Sequence, residues 1–471
     1  MPRWLPVPLS GPVYQNVDDF KVDGLQPLVD NIIVDEANFS RKRAGLDPFV
    51  DLETMTGVDG LYWWHDQGFV LAVSNGHVWR ITDQFGTKEQ VTSGDTLLIG
   101  NQVTIDHDGV SAYLANGTRI LRYVPGSPAA YLADPDAPTV VTHVAFLDQY
   151  ILAGIVGSGS WQFSEIGVGT DWREVDLFTA ETKPDVLSAL KVAQGEILLA
   201  GPNSIEFWAN DGTSPFSRIP GTALERGLGA TYSLSFLKDR WAYLDQDRNL
   251  VEIVGRTPSE ASIPVNQTIQ NLTSIADAVG QLMTVEGYPL YVITFPSNNR
   301  TFVYNFLKKD WSEWNYWNSI TATETRFRGN AYCYARDWNL HLIGDYANGK
   351  IYSAKPSAFS DDGEVIRVRR RSGVVTHGTS AMKESQKLRI YMKRGVATES
   401  VPNPQVMLRW RDNQGAWSNE HWRSLGQVGQ HRPYVEWSRL GKYRQRQYEV
   451  ICTDAVEFSM GRSEELVEVL P

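Results

Sequence analysis

The sequence predicts an all-β protein: a seven-bladed β-propeller with an N-terminal extended arm and a C-terminal β-sandwich-like domain. Three observations predict it. A hairpin signature recurs seven times at intervals of roughly forty to fifty residues, the period of propeller blades. Helix signals are weak along the whole chain. Past Asp362-Gly363 the composition turns basic and a new set of strand-like runs begins.

Each hairpin copy is an apolar run, a tight polar turn and a second apolar or aromatic run. They are Phe69–Val73 with His77–Ile81 about Ser74-Asn75-Gly76; Val110–Leu114 with Arg119–Tyr123 about Asn116-Gly117; and Tyr150–Val156 with Trp161–Phe163 about Gly157-Ser158-Gly159. Glu196–Ala200 then pairs with Ile205–Trp208 about Gly201-Pro202-Asn203, and Trp241–Leu244 turns at Asp245 to Asn249. Leu290–Phe295 turns at Ser297-Asn298-Asn299, and Asn339–Ile343 leads through Asn348-Gly349 into Lys350–Ser353. Asn-Gly and Gly-Ser-Gly supply the positive φ that short hairpins need.

Three segments follow from this period. Residues 1–50, rich in Pro and Asp, are expected to form an arm lying across another domain or a neighbouring subunit, anchored by Trp4, Leu5, Tyr14, Phe20 and Leu28, with Asn31–Glu36 as a lone strand. Residues 51–362 are the propeller, at about 44 residues per blade, enough for four short strands. Residues 363–471 are a basic β domain, with strands expected at 365–371, 386–394, 405–411, 433–439, 447–453 and 456–460.

The 471 residues, 42% hydrophobic and 11% aromatic, are ample for packed cores. No apolar stretch approaches the roughly eighteen residues of a membrane span, and Met1-Pro2-Arg3-Trp4-Leu5-Pro6 lacks a secretory layout, so no membrane insertion is expected and synthesis in a cytoplasm is. Cys333 and Cys452 are the only cysteines, too few for a disulfide framework, and are expected to be buried thiols. The net charge of −11 hides an asymmetry: Arg367 to Gln447 holds 17 Lys and Arg against 5 Asp and Glu, a local +12 in a remainder at −23. Such a division suits parts that face different partners.

Catalytic motifs are missing from the sequence: there is no His-Glu-x-x-His, no phosphate-cradling Gly-x-x-x-x-Gly-Lys-Ser/Thr, no Gly-x-Ser-x-Gly and no Cys-x-x-Cys. Asp245, Asp247 and Asn249 have the opening spacing of a calcium loop, but Leu250 and Arg256 stand where such a loop needs Gly and Glu. Asp106-His107-Asp108-Gly109 reads as an Asx turn. Asp412 to Trp417 comes near a sialidase Asp-box with its Gly displaced by one position. No enzyme activity, cofactor or metal is expected. Arg367, Arg369 and Arg371 alternate on one strand face and present three guanidinium groups, to a protein interface, to DNA, or to salt bridges with the acidic propeller.

Val406-Met407-Leu408-Arg409-Trp410, Asp412 to Trp417, Leu425-Gly426, Val435 to Arg444 and Tyr448-Glu449-Val450 resemble the tail-hub family of short-tailed bacteriophages, the packaged-DNA stabilisation proteins. Ala180 to Asp185, Gly201 to Trp208 and Arg226-Gly227-Leu228-Gly229-Ala230 are similar to the same family, in its order. The resemblance implies a virion tail component: a homo-hexameric ring below the portal and its adaptor protein that closes the filled head. It also implies a channel for passing double-stranded DNA and docking places for a tailspike or fibre and for a tail needle or plug. Trp437 and Arg439, inside the resembling stretch, join Arg367, Arg369 and Arg371 as expected interface residues. The family supplies no catalytic residues. A propeller that binds or cleaves glycan is the alternative function.

Overall fold

The computed structural model describes residues 1–10, 28–155, 157–179, 186–212, 215–261, 265–430 and 432–470. Among the described residues, seven runs of four antiparallel strands occupy the middle of the chain, six of them paired in chain order and the seventh completed by an N-terminal strand. Five are separate sheets: blade 1 from Val58 to Gln90, blade 2 from Thr104 to Tyr131, blade 3 from Val141 to Thr179, blade 4 from Ala189 to Arg218 and blade 5 from Ser235 to Glu260. Blade 6, Val279 to Glu313, and blade 7, Gly329 to Lys355 completed by Gly45–Asp51, belong to larger sheets. Every one of the seven hairpins read from the sequence is the second and third strand of a blade.

Those middle strands read as continuous apolar runs because both of their faces are buried. In Phe69–Ser74, Leu71 and Val73 pack on Leu114 and Tyr123 of blade 2, while Val70 and Ala72 pack on Leu342 and Ile351 of blade 7. The same alternation repeats around the circle: Tyr113 meets Ile151, Trp161 meets Trp208, Phe207 meets Trp241, Leu250 meets Ile293, and Val292 meets Tyr352. With the core of Val58, Val70 and Ala72 against Ala331, Leu342 and Ile351, blade 7 meets blade 1 and the blades form a closed ring. Asn75 and Gly76 hold φ of 53° and 75° at the blade 1 turn, the left-handed pair that a two-residue hairpin requires.

The N-terminal segment departs from expectation. Its described residues, expected as an arm lying across another domain or a neighbouring subunit, are built by strand pairing into both other parts of the chain. Gly45–Asp51 pairs antiparallel with Lys350–Lys355 and closes the ring as the outer strand of blade 7, so a boundary at residue 50 falls inside a strand. Arg3–Val7, Ile32–Val34 and Ser40–Lys42 join a sheet with Ser459–Val469, Lys383–Met392 and Tyr434–Tyr443. Leu28–Asp30 bridges blade 6 to a second sheet of Val368–Arg371, Arg446–Cys452, Gln405–Asp412 and His421–Ser424. Val7, Leu9, Val29 and Ile32 sit in the core between these two sheets with Leu388, Trp437 and Val450. The core of the sandwich is therefore shared by residues from the N-terminal and C-terminal segments. Tyr14 and Phe20, expected as anchors, lie outside the described residues.

Candidate functional site: an arginine-rich face on the sandwich

The second sheet of the sandwich turns Val368, Val406, Leu408, Tyr448 and Val450 into the core. Strand alternation then puts Arg369, Arg371, Arg409, Arg411, Gln447 and Glu449 on its outer face. Arg367 Nη1 lies 3.0 Å from Glu324 Oε1, and Arg369 donates from Nε to Asp30 Oδ2 at 2.6 Å and reaches Glu324 at 3.4 Å. Glu324 stands on Thr323–Arg326, in the connection between blades 6 and 7. Arg371 binds the fully buried Glu449 from Nη2 at 2.6 Å, and Arg409 binds the other oxygen of the same carboxylate. Arg367, Arg369 and Arg371 thus hold intrachain ion pairs, with about a fifth to a quarter of each side chain still exposed.

Trp417 is the centre of this face. The turn after Asp412, whose carboxylate is gripped by Arg446 at 2.6 and 2.8 Å, reverses the chain through Asn413 and Gln414 at φ of 50° and 64°. The indole so returned lies within 5.2 Å of the Arg371 guanidinium, 4.8 Å of Arg409 and 5.0 Å of Arg411. Arg411 also donates from Nε to Gln447 Oε1 at 2.8 Å. Burial and the neighbouring Arg371 charge depress the Arg411 pKa. Sequence reading placed Trp417 in a near Asp-box; what it missed is that the turn serves to lay an aromatic over arginines.

Trp437 requires correction as a surface residue. It is 1% exposed in the sandwich core, and its Nε1 donates to the His421 carbonyl at 2.9 Å. Its position alternates inward, with Val435, on a strand whose next residues Ser438 and Arg439 are exposed. Arg439 has φ of 62° where Tyr434–Tyr443 slips register against Lys383–Met392.

The remaining motifs are structural. Asp245 accepts Arg226 Nε at 2.6 Å and the Asn249 amide at 2.6 Å, which occupies the carboxylate of the calcium-like loop. Arg226-Gly227-Leu228-Gly229-Ala230 threads between the turns of blades 4 and 5. A Cβ on Gly227 would stand 2.2 Å from the Pro202 backbone, and one on Gly229 would stand 2.2 Å from the Asp245 carbonyl oxygen. Asp108 caps the Val110 and Ser111 amides at 2.8 and 2.6 Å. Ala180 to Asp185 lies outside the described residues. Cys333 and Cys452 are both buried free thiols, and burial raises the pKa of each.

Side chains near the inner strands link several blades. Gln102 at blade 2 and Gln281 of blade 6 both donate to the Asn330 carbonyl of blade 7, at 3.2 and 2.6 Å. Tyr232, ahead of blade 5, stacks on His143 of blade 3 at 5.7 Å. Neither His143 ring nitrogen has a hydrogen-bond partner, and burial, reinforced by Lys191, pushes its pKa down to about 3. A depressed imidazole stabilises the fold fully above its ordinary value near 6.5, and that contribution is lost as pH falls toward 3, because the unfolded chain binds the proton first. Stability is expected to drop by about 1.4 kcal/mol per pH unit over this window from this group. Denaturant titrations of wild type and His143→Leu should show a shallower acid limb in the variant.

Comparison with known proteins decides the family. The chain matches the phage-stabilisation family described as bacteriophage P22 Gp10, β-propeller, over residues 25–358. The chain belongs to this family. It is a structural protein of the phage tail, and the virion is where such a protein resides. The match runs from the bridging strand before Asp30 to the end of blade 7 and includes the Arg226 to Ala230 segment; the arginine-rich face past Arg367 lies beyond it. No curated protein matches. Solved structures resemble the fold distantly. A chain of the mitotic checkpoint complex is 12% identical with a TM-score of 0.44, covering 73% of this chain and 99% of its own. The Neurospora crassa Pan2 WD40 domain is 8% identical with a TM-score of 0.43, over 68% and 97%. The designed Ika8 protein is 13% identical with a TM-score of 0.37, over 66% and 100%.

Proposed function

We propose that the chain is a hub or nozzle subunit of the tail, arranged as a hexameric ring that attaches below the portal and its adaptor and closes the filled head. The ring continues the path of DNA ejection and holds a tailspike or fibre protein and a tail needle or plug. The family match over residues 25–358 carries this reading. Two features of the chain support it. The basic face of the sandwich and the acidic remainder of the chain offer stacked partners surfaces of opposite sign. Side chains that link blades 2 and 6 to blade 7, and blade 3 to the segment ahead of blade 5, brace the propeller as a building unit for such a ring.

Phage lacking the protein should fill their heads, since packaging runs through the portal from the other side, and then lose DNA and infectivity. Purified protein added to freshly filled mutant heads should restore retention, measured as nuclease-resistant DNA, together with tail attachment. Heads that keep their DNA without the protein would overturn this reading.

A further inference from the structure

Neighbouring blades are stitched together by polar side chains on their first strands. Thr104 Oγ1 of blade 2 donates to the Thr142 carbonyl of blade 3 and accepts the Val144 amide, both at 3.1 Å, and Asp106 accepts the Phe146 amide at 2.8 Å. Ser235 of blade 5 accepts the Leu282 amide of blade 6 at 3.2 Å. Gln281 of blade 6 donates to the Asn330 carbonyl of blade 7 at 2.6 Å, and Asn330 donates to the Val58 carbonyl of blade 1 at 3.0 Å. The backbone along the open edge of a first strand is thus satisfied by the blade before it, which answers the demand every covered amide and carbonyl makes for a partner.

Blades 3 and 4 break this rule. Ala145 and Leu147 of blade 3 pack on Leu187 and Leu190, so strand alternation turns His143 toward blade 4 as well. Ala189 packs on Tyr243 of blade 5, which turns Lys191, two residues on, toward blade 5. These are the stitching positions, yet among the described residues neither side chain bonds anything. Both His143 ring nitrogens are buried without a hydrogen-bond partner, and Lys191 has neither hydrogen bond nor ion pair. Burial holds the Lys191 ammonium below its ordinary pKa, and the charge that opposes this, Asp106, is already engaged by Tyr62, the His107 amide and the Phe146 amide. Lys191 is near enough for its charge to depress the His143 imidazole. Tyr232, stacked on that imidazole at 5.7 Å, brings a hydroxyl that is likewise without a partner among the described residues. An ammonium, an imidazole and a phenol thus gather from blade 3, blade 4 and the entry to blade 5, with hydrogens to donate and nothing to receive them.

We propose that a small inorganic oxyanion, of the phosphate or sulfate class, binds among Lys191, Tyr232 and His143 and joins blades 3, 4 and 5 in place of the missing side-chain stitches. An anion supplies the counter-charge that a covered ammonium lacks. An oxyanion serves all three donors at once, because its several oxygens accept from different directions and its bond to Lys191 is charge-assisted. Neutral His143 contributes one N–H. Lys191 and Tyr232 are half-buried, which leaves both open to an ion arriving from solvent. The site lies within one chain and needs neither a second copy nor a tail partner.

Equilibrium dialysis of the purified full-length chain against labelled inorganic phosphate, at constant ionic strength set with sodium chloride, tests the site. Wild type is expected to take up phosphate at a single saturable site, from which sulfate displaces it and an equal concentration of chloride does not. Lys191→Met keeps the length of the side chain and removes its charge; it should weaken binding about tenfold to a hundredfold, the range for a hydrogen bond to a charged partner. Tyr232→Phe removes one hydroxyl and nothing else, so it keeps the fold and should cost about threefold to tenfold in affinity. Thermal unfolding of each variant checks that the propeller is intact. A wild type with no saturable uptake overturns the site, as does undiminished binding by Lys191→Met or, where that variant fails to fold, by Tyr232→Phe. Displacement by equal chloride overturns the assignment to an oxyanion.

Discussion

Arg43→Ala is expected to destabilise the folded chain by about 3–5 kcal/mol, the range for removing one partner of a buried ion pair and stranding the other. Arg43 and Asp361 are buried to 1% side-chain exposure or less and meet at 2.5 Å. All five guanidinium donors are used: Nε on Asn31 Oδ1 at 2.9 Å, Nη1 on Ala44 O at 3.0 Å and Asp361 Oδ1 at 2.9 Å, and Nη2 on Asn315 O at 3.1 Å and Asp361 Oδ2 at 2.5 Å. The plane of the group also packs on Phe327 at 4.8 Å and Trp314 at 5.5 Å. These partners come from the N-terminal segment, from the connection between blades 6 and 7, and from the exit of blade 7, so one side chain pins three stretches of chain. Arg43→Lys should recover only part of the loss, because an ammonium has three donors and no planar fork. Chemical denaturation followed by tryptophan fluorescence gives both values. An alanine variant within about 1 kcal/mol of wild type would show the knot to be dispensable.

A chain beginning at residue 52 is expected not to fold at all. It would leave blade 7 without Gly45–Asp51, exposing the edge of Lys350–Lys355. It would also strip the sandwich of Arg3–Val7, Leu28–Asp30, Ile32–Val34 and Ser40–Lys42 and open a core that includes Val7, Leu9, Val29 and Ile32. Unpaired backbone and bared apolar surface together favour aggregation. Soluble expression and a β-type circular dichroism spectrum from the truncated chain would contradict the account.

What the sequence disclosed and what it hid have physical causes. The blade hairpins were legible because their strands are buried on two faces and their turns demand Asn and Gly. Of the short N-terminal strands only Ile32–Val34 was legible, inside a strand expected alone at Asn31–Glu36; Leu28–Asp30 and Ser40–Lys42 are three residues each, too short to display a period. A strand is expected from the sequence at 456–460, whereas the closing strand runs Ser459–Val469. Glu465 is fully buried and accepts from Tyr443 at 2.8 Å, Tyr448 at 2.7 Å and His377 at 2.9 Å. A carboxylate with that many donors belongs in a core, and only the fold can reveal the donors. For the candidate face, residue type located the arginines but not their carboxylates, since Glu324, Asp30 and Glu449 come from three distant segments. Trp437 shows the opposite limit: a tryptophan among basic residues looks exposed until alternation along its strand is counted from a buried neighbour.

The ring is latched by residues made at opposite ends of synthesis. Asp47 meets Lys355 across 308 positions of sequence, and a ribosome adding about 5–20 residues per second needs roughly 15–60 seconds to cover that span. For that interval the first-made edge has nothing to pair with, while six blades accumulate behind it. The nascent protein therefore spends most of its time on the ribosome as an open arc, vulnerable to pairing with its neighbours on the same message.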